Sequence, residues 1–118
     1  MLQGRVRPDG TPVVLLTVAG STWTAIIDTG FNGDLELPEV LRTAVNPRYQ
    51  RAIISVLGGG QSVVEDAYDV AFPFDGRTVL AESTFVNTNE ILIGTHLLLD
   101  YRLQIDFPVQ TVTLTRTS

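Results

Sequence analysis

Ile26-Ile27-Asp28-Thr29-Gly30 is the most informative stretch of this 118-residue chain. An apolar, β-branched run from Trp23 ends on a single carboxylate, and a small hydroxyl residue and a glycine follow at once. Trp23 to Ile27 has the composition of a strand. Asp28-Thr29-Gly30-Phe31-Asn32-Gly33 cannot continue it cleanly, with two glycines and an asparagine. The carboxylate is therefore expected on a loop at the strand's end.

One carboxylate in water, with a pKa near about 4, is a poor acid and a poor base at neutral pH. Two carboxylates about 3 Å apart cannot both ionise easily and share a proton, so one serves as base and the other as acid. Thr29 fits such a pair, because its hydroxyl both donates and accepts and can tie one loop to a facing loop. Gly30 lets backbone approach the carboxylate and offers it an N–H. The chain has no second Asp-Thr-Gly or Asp-Ser-Gly, so two chains are expected to make one site.

Outward from this loop the chain reads as short strands separated by turns. Pro8-Asp9-Gly10 divides strands at about 2–7 and 13–18, and Ala19-Gly20-Ser21 is the next turn. Asp34-Leu35-Glu36-Leu37 alternates like a half-buried strand, and Pro38 to Arg42 fits a short helix with proline at its first position. Strands at 51–57 and 61–72 flank Gly58-Gly59-Gly60, which predicts a projecting hairpin. On the second of these, Val64, Asp66, Tyr68, Val70 and Phe72 share one face. Asp75-Gly76 turns into a strand at 78–86. Ile91-Leu92-Ile93-Gly94 is a buried strand ending in glycine. Thr95 is placed to cap a short helix, His96 to Tyr101, with Leu97, Leu98 and Leu99 toward the core. Strands at 103–107 and 111–115, turned by Pro108, complete a mostly-β barrel or sandwich.

The pairing of Ile26-Ile27-Asp28-Thr29-Gly30 with Ile91-Leu92-Ile93-Gly94 about sixty residues later resembles the two-part signature of retropepsin-like aspartic proteases. The order of loop, glycine hairpin, apolar strand and short helix extends the resemblance over nearly the whole chain. It implies an all-β fold, a closed six- to eight-stranded barrel with one or two short helices, forming a single domain over 1–118. It also implies a homodimer in which Asp28 from each chain activates water, while Thr29 and Gly30 lock the dyad. Gly58, Gly59 and Gly60 would form the flap over a peptide or protein substrate. Phe31, Asn32 and Leu92 would line the cleft. No cofactor is implied.

The chain departs from viral members at three places. Phe31 stands where they have a small residue, Asn32-Gly33 replaces an acidic pair, and Thr95 replaces the arginine that pairs with one of those acids. Its C-terminal hairpin is closer to cellular and retrotransposon domains, and Asp-Thr-Gly-Phe-Asn-Gly also resembles small prokaryotic members. The interleaving of terminal strands that builds the viral dimer is therefore not carried over.

Bulk composition removes several other classes. Eight arginines, no lysine and a net charge of −5 leave no basic run, so no nucleic-acid partner is expected. No stretch approaches the roughly 20 apolar residues of a membrane span. Met1-Leu2-Gln3-Gly4-Arg5 lacks the apolar region of a signal peptide, and a cytoplasmic location is expected. Without cysteine there is no disulfide, thiol nucleophile or thiolate metal site. One histidine makes a zinc site improbable and leaves the serines without a base at any recognisable spacing.

Each motif has a plainer reading beside the chemical one. Asp28-Thr29-Gly30 alone can be an ordinary turn, and the triple glycine a flexible tip. His96 reads as a cap or core contact rather than a base. Trp23 and Tyr68 read as core or sheet-face residues, and Glu65, Asp66 and Asp69 as a solvated face. The alternative function is a non-catalytic peptide-binding or dimerisation module on the same fold.

Overall fold

The computed structural model describes residues 1–117. Ten strands hold most of them: β1 (Leu2–Val6), β2 (Pro12–Val18), β3 (Ser21–Ile27), β4 (Leu35–Pro38), β5 (Arg48–Val56), β6 (Ser62–Phe74), β7 (Arg77–Val86), β8 (Ile91–Ile93), β9 (Tyr101–Asp106) and β10 (Thr111–Arg116). One four-residue α-helix, α1 (Arg42–Val45), follows a 3-10 turn at Glu39–Leu41, and a second 3-10 turn spans Thr95–Leu98.

All ten strands belong to one sheet, in the order β5-β6-β7-β4-β8-β3-β2-β1-β10-β9. Laid flat at ~4.8 Å per strand, such a sheet would be about 43 Å wide and only about 10 Å thick. The molecule measures 40 × 35 × 28 Å, so the sheet is rolled on itself. The rolling encloses a core in which Phe72, Phe74, Leu35, Leu37, Ile91 and Ile93 are the largest fully buried side chains. The pairings are antiparallel, five of the nine as hairpins, with two parallel exceptions, β3 with β8 and β4 with β7. Both exceptions lie at the centre of the sheet, where three-residue β8 is wedged between β3 and β4.

The all-β class holds, with two corrections to the expected architecture. The strands number ten, and the barrel is not closed, because β5 and β9 end the sheet without pairing to each other. The expected helix His96 to Tyr101 is instead the short 3-10 turn, and β9 already begins at Tyr101. Leu98 is buried and Leu97 packs against the core, but Leu99 is 73% exposed. With about three residues per 3-10 turn, three consecutive leucines cannot all face one way.

The β5–β6 hairpin begins earlier than expected, at Arg48, and Gln50 bulges from its register. Its outer half runs past the end of β7, whose pairing with β6 stops at Tyr68↔Ser83. This explains a switch in burial along β6. Val70, Phe72 and Phe74 are buried against the core, whereas beyond Tyr68 the half-buried residues are Val63 and Glu65, on the opposite parity. Val64, expected with the core-facing set, is 71% exposed. The alternation of the strand is unbroken; what lies beneath it changes from core to the hairpin's underside.

Candidate active site

β3 ends at Ile27, and the next N–H, that of Asp28, donates to the Ile93 carbonyl at 2.9 Å. The pairing with β8 therefore runs one residue past the strand and holds the Asp28 backbone in place. The side chain is half-buried, and its Oδ1 accepts the Gly30 N–H at 2.9 Å. A Cβ on Gly30 would sit 3.3 Å from that oxygen. Thr29 is exposed, and its hydroxyl makes no hydrogen bond among the described residues.

Beyond Gly30 the loop is laced to the segment after β8. Phe31 O accepts the Thr95 N–H at 2.8 Å, Gly33 O accepts the His96 N–H at 3.2 Å, and Asp34 O accepts the Gly94 N–H at 2.9 Å. The Thr95 hydroxyl lies 3.3 Å from Phe31 O and 3.4 Å from Asn32 Oδ1. The neutral Thr95–Asn32 contact thus occupies the position where an arginine–acid pair was expected to be missing. Phe31 is half-buried, its ring against Gly33 and Gly94. On Gly94 a Cβ would overlap the Gly33 carbonyl oxygen and come within 2.7 Å of the Phe31 ring. Only glycine fits there.

Leu92 pairs with Ile26 on one side and Glu36 on the other, which puts the three side chains in one row across β3, β8 and β4. Gly58, Gly59 and Gly60 are exposed at the tip of the β5–β6 hairpin. Gly59 and Gly60 have φ of +92° and +84°, a region that costs any L side chain strain. Leu57 N–H donates to Gln61 O at 2.7 Å and closes the tip. The structure thus gathers Asp28 to Asn32 with Leu92 at one end of β3 and β8. Among the described residues no hydrogen bond joins the glycine tip to that loop.

Two carboxylates near the loop escaped the sequence reading. Asp34 is buried although it opens an alternating strand. Its Oδ2 accepts the Glu82 N–H at 2.8 Å, and its Oδ1 lies 2.6 Å from His96 Nδ1. His96 is thus neither a cap nor a core residue; its exposed ring clasps Asp34. Glu36 is half-buried, and burial pushes its carboxyl above the usual range, with repulsion from Glu65 and Asp28 adding to the effect. The alternating run predicts a half-buried strand without singling Glu36 out, and the register with β8 sets it beside Leu92.

Comparison with solved structures identifies the fold. The chain is similar to a retropepsin-like aspartic protease from Rickettsia conorii, with a TM-score of 0.60 and 16% identity over 95% of this chain and 87% of that one. It is similar to the protease of simian foamy virus (mac), with a TM-score of 0.58 and 21% identity over 74% of this chain and 91% of that one. It also matches 13% of a foamy viral protease-reverse transcriptase solved with an RNA/DNA hybrid, with a TM-score of 0.59 and 19% identity over 90% of this chain. No family model matches the chain, and no curated protein matches it in sequence. The fold is retropepsin-like.

Proposed function

We propose that residues 1–118 act as one aspartic endopeptidase domain that works as a homodimer, with Asp28 of each copy forming the catalytic dyad. The observation that carries this reading is the Asp28 carboxylate itself. It stands at the end of the central strands of a retropepsin-like sheet, its backbone tied to Ile93 and its Oδ1 to the Gly30 N–H. No cation pairs with it among the described residues.

Brought together, two such carboxylates share one proton. The ionised one takes a proton from water as the water oxygen attacks the peptide carbonyl carbon. The protonated one gives its proton to the carbonyl oxygen, which leaves a gem-diol. Collapse of the diol breaks the C–N bond. A proton passes to the leaving nitrogen, and the dyad returns to its singly protonated state. Gly30 holds Asp28 in orientation, and the Thr29 hydroxyl ties the two loops across the interface. The Gly58-Gly59-Gly60 hairpin closes over the peptide, and Phe31, Asn32 and Leu92 wall the cleft.

The test is Asp28→Asn, which keeps the shape of the side chain and removes the shared proton. Cleavage of a peptide library at mildly acid pH should fall at least about a thousandfold, with circular dichroism and sedimentation unchanged. A statine-type inhibitor should raise the melting temperature of the parent protein. Full activity in the asparagine variant would exclude this mechanism.

A further inference from the structure

The row Ile26–Leu92–Glu36 is a structural consequence of register: Ile26 pairs with Leu92 across β3 and β8, and Leu92 with Glu36 across β8 and β4. Asp28 follows Ile26 by two residues, so it continues the same face. Ile26, Leu92 and Glu36 also line a cavity of about 230 Å³, bounded on its other side by the turn from Thr88 to Ile91. That cavity holds two carboxylates. Glu90 is paired with Arg7 at 2.6 Å. Glu36 has no cationic partner among the described residues. The charges that raise its pKa beyond the effect of burial are of its own sign, Glu65 on the hairpin and then Asp28 on the loop.

We propose that Glu36 is a specificity-determining residue that selects a basic side chain, lysine or arginine, in the substrate bound at the Asp28 site. The proposal rests on the peptidase reading and names its substrate class. The aliphatic stem of a lysine or arginine would lie along Ile26 and Leu92, with its charged head at the Glu36 carboxylate. Two strand spacings separate the Ile26 and Glu36 positions, on the order of 10 Å. At ~3.3 Å per extended residue, the selected side chain belongs within about three residues of the scissile bond. The cation would pair a half-buried carboxylate that has no cationic partner among the described residues, so the contact should favour binding rather than merely tolerate it.

Binding of a positional-scanning peptide array to Asp28→Asn protein reads this preference without turnover. Lysine or arginine should be enriched at one position, about tenfold or more over norleucine, as expected for a charge-assisted hydrogen bond. Adding Glu36→Gln should abolish the enrichment, and Glu36→Lys should shift it toward acidic residues. Neither an array without basic enrichment nor one whose enrichment survives Glu36→Gln is compatible with the proposal. Cleavage by the parent protein decides the peptidase reading separately: basic selection without any cleavage keeps the role of Glu36 and overturns the dyad mechanism. Glu36→Gln should melt no lower than its parent, because it removes a half-buried charge that has no partner, and that measurement guards against misfolding as the cause of a lost preference.

Discussion

At the residue scale, Asp34–His96 is a contact that braces the Asp28 loop from behind. Asp34 is buried and reaches in two directions, to the Glu82 backbone and to the His96 ring. It thereby ties the end of the Asp28 loop to β7 and to the turn after β8. The hydrogen bond to Asp34, and then the attraction of its charge, raise the His96 pKa above its ordinary value. A raised pKa in the folded state contributes stability that is fully present below about 6.5 and is lost as pH rises through the folded value. The urea midpoint of the protein should therefore fall with rising pH above about 6.5, relative to that of His96→Gln. The imidazole is 64% exposed, so the slope should be shallow. Parallel midpoints for the two proteins across that range would mean that the pair does not contribute. The sequence could not show this contact, because 62 residues separate its partners and neither lies in a recognisable motif.

At the scale of elements, β8 carries more of the architecture than its three residues suggest. It runs parallel to β3 and antiparallel to β4, buries Ile91 and Ile93, and accepts the Asp28 N–H. Its apolar run followed by glycine was legible, and so was the order of loop, hairpin and crossing strand. Legibility stopped where packing takes over. The reason Gly94 must be glycine is the Gly33 carbonyl and the Phe31 ring, both on a loop some sixty residues earlier. Gly94→Ala has no room and should cost about 3 kcal/mol, the upper range of overpacking, read as a lowered urea midpoint. Because Gly94 adjoins Ile93, whose carbonyl accepts the Asp28 N–H, peptide cleavage should fall more steeply than the folded fraction does. The turn after Gly94 is shorter than the expected helix for a related reason. Pairing of Tyr101 with Arg116 claims the chain for β9 before a helix can develop.

At the scale of the whole molecule, one rolled sheet supplies the core and still leaves two strand edges, at β5 and β9. Each edge carries unpaired backbone groups, which proteins cover, charge or pair with another chain. Arg102, Gln104 and Asp106 alternate outward along β9 and keep that edge polar. A chain with one Asp28 contains half of the proposed dyad, so activity should depend on association. Specific activity should decline on dilution across the concentration range where sedimentation shows dimer giving way to monomer. Specific activity that stays constant while the protein is monomeric would rule out a shared site.

Residue order alone determined the all-β class, the placement of Asp28-Thr29-Gly30 on a loop, the glycine hairpin and the buried strand ending at Gly94. These are local consequences of side-chain period, turn chemistry and composition, and each is decided within a few residues of itself. Tertiary structure decided that the sheet stays open with ten strands, that Asp34 is buried, and that Glu36 stands in a row with Ile26 and Leu92 near Asp28. Those outcomes depend on which strands become neighbours and in what register. Register is set by the packing of side chains far apart in the chain, which no local pattern records.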